Sequence, residues 1–270
     1  MATNLTSGET ASTHEHQAAL PAAVEERPHR VRFGVIYVAL AAILVAAIVG
    51  GVVFASRSIN PSPAWSSWKP KGGGLGAAQR IADHVAQQYR LPNGNQLVDV
   101  ISKAPSLSPP SSATLPLHYV AVKGTKGSGD QVYPVSGTNS VMYSLCGLGA
   151  SCSIASGAPS VERGTLVRRE ILELALYTFK YVDGIQHVIA FMPPQPGKQP
   201  QYVIYLRKSD LAEKLKLPLQ QTLAKKVPLP KSIPASEVRT IDATTEPRVY
   251  NFSLSQTQNG DAVFVFAPLA

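Results

Sequence analysis

Between residues 33 and 54 the chain reads FGVIYVALAAILVAAIVGGVVF, with no charged side chain and with Tyr37 as its one strongly polar group. Nothing else in the sequence restricts the fold as much. At about 1.5 Å of rise per residue, such a run crosses a hydrocarbon core of about 30 Å with a little length to spare for tilt. An unpaired backbone amide or carbonyl costs several kcal/mol in lipid, so a run of this kind is expected to be a helix. Placed at residues 31–56, that helix separates a short tail over 1–30 from a large remainder on the other side of a membrane.

Charge sets the expected orientation. Arg27, Arg30 and Arg32 stand just before the span and only Arg57 just after it. Lys and Arg close to a span favour the cytoplasmic side, which puts the tail in the cytoplasm and the C-terminal part outside, in a plasma-membrane, single-pass signal-anchor arrangement. The rival is a cleaved signal peptide, since Val53-Phe54-Ala55 loosely resembles a cleavage site. Signal peptides, however, carry an apolar region of only about 7–15 residues.

The tail is polar and without apolar periodicity, and is expected to be disordered. Its His14-Glu15-His16 lacks the third ligand that a closed metal site needs. After the span, residues 57–76 are rich in Pro and Gly and read as a linker. Trp65 and Trp68, beside Lys69 and Lys71, fit an interfacial anchor at headgroup depth; the alternative is that one of them packs on the domain. Ser66-x-x-Lys69 matches the serine–lysine pattern of penicillin-interacting enzymes, but without the buried helix start or the downstream Ser-Asp-Asn. The Gly run at 72–76 reads as a tether in preference to an anion cradle.

Residues 77–270 read as one α+β domain. Ile81, Val85 and Tyr89 recur at helical spacing over 77–90, and Leu91-Pro92-Asn93-Gly94 ends that helix. Strands are expected at 96–101 and 117–123 with a Pro/Ser-rich loop between them, then in DQVYPVSG and NSVMYSL around a turn at Gly137–Asn139. The Gly-rich residues 124–129 lack the Gly-Lys-Ser/Thr ending of a phosphate loop and read as a hairpin connection. IQHVIAFM, QYVIYLR and the terminal pair RVYNFSLSQ and AVFVFAP, turned by Asn259-Gly260, complete a mainly antiparallel sheet with two or three helices on it.

Cys146 and Cys152 are the only cysteines. On the oxidising side of a membrane they are most simply one disulfide, worth about 2.4 kcal/mol for so short a loop. A long helix follows from Ser160 to about Tyr181. Projected at about 100° per residue, Glu162, Arg169, Glu173 and Lys180 share one stripe and apolar residues fill the rest. Arg169 and Glu173 are expected to pair at i, i+4 for a few tenths of a kcal/mol. Arg168 projects onto the apolar side, either aimed at a carboxylate or phosphate ligand or with its stem packed and its head on water or an internal acid. A further helix over 211–226, capped by Ser209-Asp210, is kinked or split by Pro218. Arg207, Lys208, Lys214, Lys216, Lys225, Lys226 and Lys231 face only Asp210 and Glu213 there, a candidate basic patch.

The segments LCGLGASC, ERGTLVRREILELALYTFKYVDG and VIAFMPP, within 146–194, resemble a group of uncharacterised single-pass membrane proteins of actinobacteria. The resemblance implies a bacterial plasma membrane and an extracytoplasmic domain, and brings no activity or site. No cofactor or metal set is expected. The expected partners are the lipid bilayer and another envelope protein, an anionic lipid or a cell-wall polymer; nucleic acid is not expected. The expected role is a non-enzymatic binding or assembly component of the cell envelope. The alternative is an envelope hydrolase or transferase built on Arg168, His187 or Glu170 in a cleft.

Overall fold

The structure, a computed structural model, describes residues 30–58, 64–107, 115–125 and 128–269. The tail with His14 and His16, the linker residues 59–63 and the loop residues 108–114 lie outside the described residues. The chain divides into two units, Met1–Pro61 and Ser62–Ala270. In the first, helix α1 (Arg30–Ser58) covers the apolar run. Its stretch Gly34–Val53, of mean hydropathy 2.7, is long and apolar enough to cross a membrane, as some signal sequences also are.

The second unit is α+β. Helix α2 (Gly74–Ala86) buries Ala77, Ala78, Ile81, Ala82 and Val85. It begins inside the glycine run, so part of the expected tether is its first turn. The chain then reverses at Leu91–Asn95, where Gly94 takes φ +83°. Strands β1 (Asp99–Lys103), β2 (Ser106–Leu107), β3 (Leu115–Val122), β4 (Gln131–Pro134) and β5 (Ser140–Cys146) follow. Then come α3 (Val161–Tyr181), β6 (His187–Phe191), β7 (Tyr202–Arg207), α4 (Ala212–Lys216), α5 (Ala235–Thr245), β8 (Val249–Gln256) and β9 (Ala262–Pro268). Pro218 ends the fourth helix outright: beyond it only two 3-10 turns, Leu219–Gln221 and Pro230–Ser232, form before α5.

The strands run in the order β1-β5-β6-β7-β8-β9-β3-β2, with β4 added to β3. Most pairs are antiparallel, but β5–β6 and β3–β9 are parallel, so the sheet is mixed. The first parallel pair follows from α3, because parallel neighbours need a long crossover and a helix supplies it. The turn at 136–139 joins strands that are not partners: β4 pairs with β3, and β5 lies between β1 and β6. The terminal hairpin forms as expected, β8 on β9.

Alternation along the central strands divides two cores. Val141, Tyr143 and Leu145, Val188 and Ala190, and Ile204 and Leu206 face the helices, where Leu166, Ile171, Leu174 and Ile241 meet them. Met142, Ile189, Val203, Tyr205, Phe264 and Phe266 face the other way with Leu117 and Val120. Among the described residues of this unit no helix packs on that second face; the sheet curls over it. The rings of Phe191 on β6 and Phe264 on β9 lie 5.5 Å apart. Three strand spacings in a flat sheet would hold them about 14 Å apart. Tyr133 on β4 comes within 5.8 Å of both His187 and Tyr205, so the curl is nearly a closed barrel.

After β5 the sulfurs of Cys146 and Cys152 lie at disulfide distance, with Cα atoms 4.4 Å apart. Gly147 donates its amide to the Cys152 carbonyl at 2.7 Å, and a Cβ there would meet the Ser153 carbonyl oxygen at 2.0 Å. Ser151 and Cys152 both take positive φ to close so tight a loop. Ser160 then caps α3, its hydroxyl accepting from the Arg163 amide at 3.2 Å.

Candidate functional site

Helix α3 carries the chemistry, and the middle of its charged stripe, Arg169 and Glu173, faces inward, while Glu162 and Lys180 at its ends stay exposed. Arg169 is fully buried and Glu173 is 6% exposed, because α5 and the irregular chain around residues 219–226 pack over the side that the projection left to solvent. The Arg169 guanidinium donates from Nε to Glu237 Oε1 at 2.8 Å, from Nη1 to Glu173 Oε2 at 3.0 Å and to the Tyr89 hydroxyl, and from Nη2 to the Ala224 carbonyl at 2.8 Å. Tyr89 donates in turn to Glu173 Oε2 at 2.6 Å. The Ala224 amide donates to Glu237 Oε1 at 3.1 Å, so both backbone groups of Ala224 are held by the same cluster. The pairing is therefore no surface i, i+4 contact but the anchor of the chain between α4 and α5.

Burial works against the charge on Arg169, but Tyr89, Glu173 and Glu237 outweigh it and hold the guanidinium more basic than usual. Burial pushes the Glu173 carboxyl up, with Arg169 and Tyr89 opposing. Glu170 is in a different position. Both its carboxyl oxygens are buried without a partner, and burial, reinforced by Glu173, pushes it well above the usual carboxylate range.

Beside the cluster lies a cavity of about 170 Å³, lined by Ser66, Ser67, His84, Gln88, Glu173, Tyr177 and Gln220 among others. The segment read as an interfacial anchor forms its outer wall. Trp68 stacks on His84 with ring centroids 3.8 Å apart, and Trp65 meets Tyr177 and Tyr181 edge-on, each at 5.5 Å. The Trp65 carbonyl accepts from the Leu219 amide at 2.7 Å. Both indoles thus pack on the domain, because α2 and α3 offer them an aromatic bed. Burial lowers the His84 pKa.

Gln88 and Lys225 also line a second space, a groove of about 680 Å³ formed with Arg90, Lys226, Val227, Pro228 and Leu229. No acid lines this groove, and Arg90, Lys225 and Lys226 take part in none of the ion pairs among the described residues. The seven bases read as one patch are otherwise dispersed. Arg207 is tied to Asp210 at 2.8 Å and Lys216 to Glu213 at 2.6 Å. Lys214 lines a separate groove with Arg239 and Arg248. Lys231 acts on Glu162, and Lys208 lines neither groove. Arg90 was not singled out in the sequence. It follows the helix α2 pattern as a lone base, and only the fold sets it beside Lys225.

Arg168 is committed within the protein. It pairs with Asp242 at 2.7 Å and Glu246 at 3.1 Å, both of them on or just after α5. His187 lies on the other face of the sheet. It is in register with Ile189 and Phe191, its Nδ1 is 2.8 Å from the Tyr205 hydroxyl, and burial lowers its pKa. Arg168 and Glu170 belong to α3 on the helical face, so the three residues of the hydrolase alternative do not meet. Among the described residues no group of three or more His, Cys, Asp or Glu is placed to hold a metal ion. The chain matches no family model, no curated protein and no solved structure.

Proposed function

We propose that this is a membrane-anchored, non-enzymatic binding protein of the cell envelope, with its folded unit outside the membrane and an anionic surface as its partner. One observation carries the reading: Arg90, Lys225 and Lys226 converge on a groove that no acid lines. Paired cations are neutralised from within, whereas these three keep their charge for a partner. The apolar edge of Val227, Pro228 and Leu229 beside them gives the groove the mixed character of a surface that meets headgroups or acidic polymer. The orientation rests on the arginines before the span and the anchoring on α1.

The test uses the full chain in neutral-lipid nanodiscs, mixed with vesicles that contain phosphatidylglycerol or with an acidic polymer, over a salt series. Binding is expected to weaken steeply with salt. At about 1 kcal/mol per base near an anionic surface, the triple variant Arg90→Ala, Lys225→Ala, Lys226→Ala should bind roughly 100-fold more weakly. Retention on neither probe, or retention that the triple variant leaves intact, would defeat the reading. Protease added to intact cells should trim the folded unit; full resistance would reverse the orientation.

A further inference from the structure

The cavity beside Glu173 adjoins the cationic groove, since Gln88 and Lys225 line both. Its walls are unlike those of a packing defect. Ser66, Ser67, Gln88, Gln220 and His84 line it beside Tyr177, Leu219 and Leu223, and a purely apolar void would have no such polar residues in its wall.

At its inner end the two oxygens of Glu173 differ. Oε2 takes the hydrogen bonds from both Tyr89 and Arg169. Oε1 accepts no hydrogen bond among the described residues, and Glu173 lines the cavity. The acid is more than nine-tenths buried and its carboxylate is held still by a guanidinium and a phenol. The surrounding charge leaves that oxygen short of a cation: one guanidinium, Arg169, serves both Glu173 and Glu237. Lys225 stands at the mouth and forms no ion pair with Glu173.

We propose that this cavity is a binding site for a primary ammonium group, and that its ligand is an aminoalkyl phosphate. The ammonium donates to Glu173 Oε1 and to the amide and hydroxyl oxygens around it; the phosphate rests on Arg90, Lys225 and Lys226. The spatial order of a fixed inner carboxylate and an outer set of free bases matches a zwitterion with its ammonium leading. The upward push that burial exerts on the Glu173 carboxyl is what a bound ammonium would relieve. The inference deepens the anion-binding reading and rests on it for the outer half of the site only. The same chemistry occurs in a free or polymer-borne aminoethyl phosphate and in a lipid headgroup.

Calorimetry on the full chain in phosphatidylcholine nanodiscs tests it, with phosphoethanolamine, ethanolamine and phosphocholine as probes. Phosphoethanolamine is expected to bind, ethanolamine more weakly for lack of the phosphate, and phosphocholine not at all, because its nitrogen has no hydrogen to donate. Replacing phosphatidylcholine with phosphatidylethanolamine in the disc separates the sources: competition with the soluble probe assigns the site to the headgroup, and unchanged affinity assigns it to the free or polymer-borne form. Glu173→Gln should weaken phosphoethanolamine by about tenfold to a hundredfold, the worth of a charge-assisted hydrogen bond. Should that variant misfold, Gln220→Trp fills the cavity from its exposed rim, away from the ionic cluster, and should abolish binding with the melting temperature unchanged. Equal affinity for phosphocholine, binding that survives both variants, or no heat with any amine would overturn the proposal and leave a cavity that holds water only. If anionic vesicles still bind through the three bases in that case, the broader reading survives; if amines bind and vesicles do not, the broader reading falls alone.

Discussion

On the concave side of the sheet, Met142, Ile189, Val203, Tyr205, Phe264 and Phe266 pack against one another with scarcely a polar atom among them. On the helical side, strands of the same composition meet α3, and there Arg169, Glu170, Glu173, Glu237 and Tyr89 are buried together. Both faces exclude water, but they hold together differently. The concave core is non-directional: its energy follows the apolar area removed from water and tolerates repacking. The helical core fixes direction, because Arg169 donates to four acceptors, each in one place. That difference matters where the chain has no regular structure to guide it. Ala224 sits in such a stretch, and the cluster holds it by both its carbonyl and its amide.

The largest effects should come from breaking one core at a time. Phe264→Ala removes a fully enclosed ring and is expected to cost about 3–5 kcal/mol in a denaturant melt. Arg169→Ala should cost a similar amount, about 3–5 kcal/mol, because it strands two buried acids. Rescue separates them. Arg169→Met combined with Glu173→Leu and Glu237→Leu is expected to recover most of the stability, as buried ion clusters replaced whole by apolar groups often do. The recovered protein should nevertheless expose residues 219–226 to protease, since Ala224 has lost its anchor. If the triple variant is stable and equally protected there, the cluster does not hold that segment and the contrast between the two cores collapses.

A smaller effect, of opposite sign, is expected at Glu170. Its carboxyl is buried without a hydrogen-bond partner, and such a group costs about 1–3 kcal/mol. Glu170→Met keeps the length and the helix preference and removes that cost, so the melt should rise by about 1–2 kcal/mol. The pH dependence fixes the sign independently. The folded carboxyl titrates well above its unfolded value, so the folded state keeps a proton that the unfolded state loses. The stabilising contribution is complete below the unfolded value of about 4.3 and declines as pH rises above it, by up to about 1.36 kcal/mol per unit. Glu170→Met should flatten that decline, apart from the share due to Glu173. A variant that melts lower and keeps the wild-type slope would mean that Glu170 has a partner in solution.

The strands of the concave core were legible in the sequence, because short runs rich in β-branched and aromatic residues need no partner to be read. IQHVIAFM and QYVIYLR are buried on both sides, so the sequence marks them as strands and the fold decides which face each residue takes. On the helical side the apolar girth of α3 was legible too, but the burial of Arg169 and Glu173 was not, because it depends on α5, and α5 carries almost no signal. In ASEVRTIDATT only Val238 and Ile241 recur at helical spacing, Pro234 precedes it and no side chain caps it. Threonines and Glu237 fill the buried side instead. Without α5 the projection sends Arg169 and Glu173 to solvent, and it misses Arg90 beside Lys225 for the same reason: the loop that joins them has no periodicity. The tryptophans were open to two readings. Their composition suits a membrane interface, and only the bed of His84, Tyr177 and Tyr181 shows them packed on protein.

Arg168 sharpens the comparison at its smallest scale, because it sits one residue from Arg169 on the same helix and is held by the same neighbour, α5. Its side chain is 12% exposed, and its partners Asp242 and Glu246 are considerably more so. Water therefore screens the pair, and its worth falls near the surface range of about 1 kcal/mol or less. Arg168→Gln should lower the melt by about that amount and leave binding of anionic vesicles unchanged, since Arg168 lines a different groove with Met192, Tyr202 and Val249. Adjacent arginines would then differ severalfold in their cost, and the cause would be the number of partners left stranded in the dry interior. A loss at Arg168 as large as that at Arg169 would show that the α3–α5 seam is dry along its whole length. A loss of vesicle binding would instead move the anion site from the α2 groove to this one.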